Sequence, residues 1–196
     1  MVLTAVFLLS FSALAFEVLL TRVFSITQWN HLAFMVISIA LFGFAAAGTF
    51  LSILDVRRPG WETRLSRPGP LSGIVLLFSA TALTAFVALE GMPLDYFRLA
   101  LDPVQSVYLL GAYLLLALPF FFSGLAVSLA YAAIPEKTGQ VYLATMAGSA
   151  GGAIFPVPLL PLLDESRLAV VIAVLPLIWV FARTVTIQGQ TSAISR

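Results

Sequence analysis

Residues 32–54 read LAFMVISIALFGFAAAGTFLSIL, twenty-three consecutive positions without a charged side chain. An α-helix climbs about 1.5 Å per residue, so roughly 20 apolar residues cross a hydrocarbon layer about 30 Å thick. This stretch is long enough to cross, and it carries no polar face of the kind a water-facing helix needs. Working outward, Thr27 to His31 reads as a short turn, and Leu3 to Ile26 forms another apolar run, interrupted only by Glu17 and Arg22. Beyond Asp55 the charges mark off Leu71–Leu89, Val104–Ile134, Val141–Leu163 and the 15-residue run Leu168–Ala182.

The whole composition agrees with lipid as solvent. Of 196 residues 61% are hydrophobic and 10% charged, against roughly 25% charged in ordinary soluble domains. The expected architecture is all-α, a polytopic transmembrane helix bundle of about six spans. Residues 1–185 form the helical domain and residues 186–196 a polar C-terminal tail. The opening MVLTAVFLLSFSALAFEVLL lacks a basic start and is followed by further spans, so it reads as a retained first helix and not as a signal peptide. Pro119 in LPFFFSG predicts a kink in the long fourth span. Pro156, Pro158 and Pro161 predict an irregular outer end to the fifth. The short sixth span predicts that Arg167 and Arg183 snorkel to the headgroups.

Basic residues are retained on the cytoplasmic side of a bacterial inner membrane. With the N-terminus inside, Arg57, Arg58, Arg64, Arg67, Lys137, Arg183 and Arg196 fall on that side, and only Arg98 and Arg167 on the other. Both termini are therefore expected in the cytoplasm. The segment Asp55–Pro70, with its Pro-Gly pairs, is the one sizeable cytoplasmic turn. DYFRLAL, within Glu90–Pro103, reads as a short interfacial helix anchored by Tyr96 and Phe97.

Few positions offer chemistry. A net charge of +1 gives no broad basic surface for nucleic acid. The absence of cysteine removes thiolate nucleophiles, disulfides and iron–sulfur ligation. No phosphate-binding glycine loop and no Ser/His/Asp set is present, so catalysis within the chain is disfavoured. Glu17 lies near mid-membrane, where a carboxylate costs on the order of 2.5–3.5 kcal/mol and must be protonated, paired or wetted. Thr21 is one turn on and shares its face, whereas Arg22 points about 140° away. Glu17, Thr21, Arg22 and His31 form the candidate polar site, read either as a proton or cationic-substrate site or as a structural anchor between helices. His31 is the only histidine and has no accompanying metal ligands, so no metal is expected. A single pigment or haem is the most it could ligate, and no other cofactor is implied.

Ala144, Gly148 and Gly152 stand four apart on the fifth span, a small-residue stripe that favours close helix packing. Gly43, Ala47 and Gly48 on the second span offer a matching surface.

Three segments carry a resemblance. FEVLLTRVFSITQWNHLAFMVISIALFGFAAAG (16–48), LPFFFSGLAVSLAY (118–131) and GQVYLATMAGSAGGA (139–153) resemble the membrane half of the membrane-bound spermidine-synthase-like proteins. Those are bacterial fusions of a multi-span membrane domain to an aminopropyltransferase-type domain. The resemblance places Glu17, Thr21, Arg22 and His31 on that family's polar positions, and Tyr142, Gly148 and Gly152 on its later motif. Thr145 stands where the family usually has an acid, and the enzyme half with its Rossmann-like glycine motif is absent. Both a free-standing membrane module and a piece of a longer fusion fit.

The leading expectation is a non-catalytic accessory subunit that packs against other membrane proteins. A carrier or binding module for an amine or cation, using Glu17, is an alternative. The membrane anchor of an aminopropyltransferase domain, encoded separately or lost, is another.

Overall fold

The computed structural model describes residues 2–27, 33–57, 60, 68–92 and 102–194. Every regular element among them is helical: α1 (Val2–Thr27), α2 (Ala33–Arg57), α3 (Pro68–Gly91), α4 (Pro103–Ala133), α5 (Thr138–Ile154), the short α6 (Pro156–Leu159), α7 (Glu165–Val174) and α8 (Leu177–Ile194). Lipid offers the backbone no hydrogen-bond partner, so a chain this apolar satisfies its peptide groups within each helix.

Five helical segments are long and apolar enough to cross a membrane: Val2–Ser25, Phe34–Arg57, Gly69–Gly91, Pro103–Ala133 and Glu165–Val185. Six were expected from the sequence, and the fifth, Val141–Leu163, is the exception. Its helix α5 ends at 17 residues, about 25 Å, because Pro156 has no N–H to give to the preceding turn. The path stays helical past the break: Phe155 has φ −54° and ψ −45°, and its N–H donates to the Gly151 carbonyl at 2.9 Å. The irregularity is a run in which Pro156, Pro158 and Pro161 have no N–H to donate, so only the four-residue α6 and a following turn continue the path.

The last span also departs from the sequence reading. It runs over Glu165–Val185 rather than Leu168–Ala182, and it is two helices, with a turn at Leu175 and Pro176. Arg183 lies inside it. Its guanidinium donates to the Ser72 hydroxyl on α3 and sits 5.9 Å from the centre of the Trp179 ring. The arginine thus has a partner on the neighbouring helix, near the end of the span. Arg167 is exposed beside Asp164 at 3.5 Å. The helix α8 then runs to Ile194, through most of the segment read as a polar tail.

Helix α4 starts where its sequence dictates. Asp102 is extended (φ −122°, ψ 110°), its carboxylate accepts from the Val104 N–H at 2.9 Å, and Pro103 fills the first turn, where no N–H is needed. At 31 residues, about 46 Å, it exceeds the bilayer core and must tilt or protrude. Pro119 is buried within it. A 3-10 turn, Pro135–Lys137, reverses the chain into α5, with the Thr138 hydroxyl donating to the Pro135 carbonyl at 2.7 Å. In the Asp55–Pro70 turn, Gly60 takes φ +85°, a conformation suited to glycine.

Helix α1 is the centre of the bundle. It packs chiefly on α5 and also meets α2, α4 and α7, while α4 binds α2 on one side and α3 on the other. Phe16, Phe24, Phe78 and Phe120 are fully buried among these helices. Helix α2 is peripheral, with a third of its span buried against half for α1 and α4.

Candidate functional site

Glu17 lies on α1 with Ser10 seven residues before it, so the two share a face about 10 Å apart along the axis. The Glu17 side chain is half-buried. Among the described residues its carboxylate has neither a hydrogen-bond nor an ion-pair partner. Ser10 is 4% exposed, and its hydroxyl is likewise unpartnered.

The structure does not gather the other expected members of the site around this acid. The Thr21 hydroxyl donates to the Glu17 backbone carbonyl at 2.8 Å, and the Ser25 hydroxyl donates to the Thr21 carbonyl at 2.7 Å. Such back-bonding satisfies the hydroxyls inside the helix and leaves the carboxylate untouched. Arg22 is exposed and makes no ion pair with Glu17, as its place five residues on requires. His31 lies outside the described residues, as do Trp29, Asn30 and the DYFRLAL segment. Among the described residues no three His, Cys, Asp or Glu side chains stand together as metal ligands.

The small residues divide into two seams. Gly148 and Gly152 of α5 lie against the α1 backbone at Phe7 and Phe11, so close that a Cβ on either would overlap the Phe7 or Phe11 carbonyl oxygen. Ala144, one turn before Gly148, is half-buried. Gly43 of α2 is pressed on α4: a Cβ there would stand 2.6 Å from the Ala117 oxygen and 2.9 Å from the Phe121 nitrogen. One turn on, the buried Ala47 meets Gly124, whose own added Cβ would lie 3.2 Å from the Ala47 Cβ and 2.8 Å from the Phe44 ring. The glycines of α2 and α5 thus each find a different helix, not one another. Gly48 is in neither seam: it is exposed, with no heavy atom within 4 Å of where a Cβ would stand.

Gly124 and the α1 phenylalanines were missed from sequence. The signal was available in Ser123-Gly124, a small pair inside an otherwise bulky run. Tyr142 is 58% exposed, and the Thr145 hydroxyl donates to the Val141 carbonyl at 2.9 Å. The two ends of the bundle carry ties of their own. Ser166 at the start of α7 donates to the Glu90 carboxylate at the end of α3, opposite the Arg183–Ser72 contact.

No family model, curated protein or solved structure matches this chain. The fold is an all-α bundle with five helical segments long and apolar enough to cross a membrane.

Proposed function

We propose that this chain is a non-catalytic protein of a bacterial inner membrane and serves as an accessory subunit, packing against another membrane protein through the outward face of α2. The observation that supports this reading is the open stripe Ala45, Gly48, Thr49 and Ser52, all exposed on the side of α2 opposite its seam with α4. Thr49 already donates to the Ala45 carbonyl at 3.0 Å, so the face is compact and needs no water. Lipid tails fill small-residue grooves poorly, and a second helix gains close backbone contact there. The basic end, with Arg57, Lys137 and Arg183, faces the cytoplasm in this reading. The likeness of residues 16–48, 118–131 and 139–153 to the spermidine-synthase-like membrane domains supports the same arrangement. It includes the case of an aminopropyltransferase-type domain held on a separate chain.

The chain has no native cysteine, so Ser52→Cys gives a single site for maleimide crosslinking in native membranes. A discrete heterologous adduct is expected, lost in a Gly48→Leu background. Recovery of a monodisperse, unpartnered chain in mild detergent, with no adduct at Ser52, would sink the proposal.

A second reading has its own support in the unpartnered Glu17 carboxylate and the buried Ser10 hydroxyl on the same face. An amine or other cation bound there would balance the acid. Uptake or binding in proteoliposomes should disappear in Glu17→Gln, and unchanged uptake removes this reading.

A further inference from the structure

Hydroxyl groups in membrane helices have a ready partner, the carbonyl one turn back on their own helix. Thr21, Ser25, Thr49, Thr81 and Thr145 use it, at 2.6–3.0 Å. Ser12, Ser79 and Ser123 do not. They are 0%, 3% and 0% exposed, and their hydroxyl oxygens have no hydrogen-bond partner among the described residues. These three hydroxyls are buried in the bundle, where leaving them dry is most unfavourable.

Counting along the helices puts these three at similar distances from the basic end. The Phe16 and Phe120 rings lie 6.1 Å apart, joining α1 to α4. The two helices run in opposite directions across the membrane. Ser12 is four residues before Phe16 and Ser123 three after Phe120, so both step from the aromatic pair towards the basic end, by roughly 4.5–6 Å. Measured from that end, Ser12 and Ser123 stand about 15 Å along their helices, and Ser79 about 16 Å along α3. Helix α3 packs on α4, and Ser79 shares its buried face with Val75, Ala82 and Phe86. Ser10 is excluded, because two residues turn it about 200° round α1, to the Glu17 side.

We propose that Ser12, Ser79 and Ser123 line an internal site at mid-membrane that holds ordered water bridging α1, α3 and α4. Three hydroxyls, each a donor and an acceptor, with no charge among them, match a small neutral ligand that both gives and takes hydrogen bonds. Water is the one that close-packed helices admit. This inference stands independently of the partner and cation readings.

The test uses the full chain in mild detergent. Radiolytic hydroxyl-radical labelling oxidises side chains beside bound water even where bulk solvent is excluded. Phe16 and Phe120, both 0% exposed, should be labelled, and the labelling should fall several-fold in the Ser12→Ala/Ser123→Ala double variant. In thermal unfolding each single alanine variant should lower Tm by about 2–4 °C, and the double by no more than the larger single, because both lose the same water. Unlabelled Phe16 and Phe120 would overturn the proposal. So would alanine variants that leave Tm unchanged or raise it, which is the behaviour of dry or back-bonded hydroxyls. Strictly additive losses would overturn it too, since they place the serines in separate environments.

Discussion

Replacing Gly152 by alanine loads the seam between α1 and α5 with one methyl group. The added Cβ would overlap the Phe11 carbonyl oxygen and stand 2.8 Å from its carbon and 2.9 Å from its Cα. Ordinary contact begins near 3.4 Å, and the atoms in the way are backbone, so no rotamer change relieves the clash. The carbonyl oxygen is the tightest of the three, so the helices must part by at least about 1 Å, a gap that forfeits about half of the local dispersion energy. In lipid that energy is a main part of what holds two helices together, because the tails are as apolar as the side chains. Overpacking of this kind costs about 1–3 kcal/mol, and the better helix propensity of alanine returns up to about 1 kcal/mol. A net loss of about 1–2 kcal/mol corresponds to a fall in Tm of about 2–8 °C for a chain of this size. Thermal unfolding in mild detergent at a fixed scan rate, followed by tryptophan emission, measures it. Gly48→Ala is the control, since the space there is open: its Tm should hold or rise slightly. A Gly152→Ala protein as stable as the parent would refute the reasoning.

On the second seam, Gly43→Ala should cost more than Gly124→Ala, by about 1 kcal/mol. Gly43 meets backbone atoms of α4, whereas the tightest neighbour of Gly124 is the Phe44 ring, which can turn; equal losses would show that the ring is held as firmly as backbone. Arg183→Leu should destabilise by about 1–2 kcal/mol and shift Trp179 emission, through loss of a charged hydrogen bond to Ser72 and of the contact over the ring. Unchanged emission and Tm would show that neither contact holds the arginine in place. Gly139→Cys and Leu162→Cys, both at exposed positions, should react with impermeant maleimide from opposite sides of the membrane, Gly139→Cys from the cytoplasm. Labelling of both from one side would contradict the bundle, and reversed labelling would contradict the orientation.

Part of this molecule was legible in the residues alone. Apolar length specifies a membrane helix because lipid leaves the backbone no other way to pair, so α1 to α4 appear within a few residues of where charges and prolines mark them. The fifth and sixth spans were read less well. Whether Pro156 ends a helix or merely removes one bond, and whether Arg183 ends a span or lies inside it, depends on what neighbouring helices supply. Pairing was not legible either. Gly43, Gly48, Gly148 and Gly152 look alike as small residues on apolar helices, yet two lie against α1, one against α4 and one is open. Glu17 could be placed at mid-membrane by counting, but its lack of a partner could not, since that depends on which side chains surround it. In a bilayer the sequence by itself determines which segments cross, through the free energy of moving each segment out of water. Only the tertiary structure decides which faces meet, because every face is apolar and the choice rests on contacts of a few tenths of an ångström.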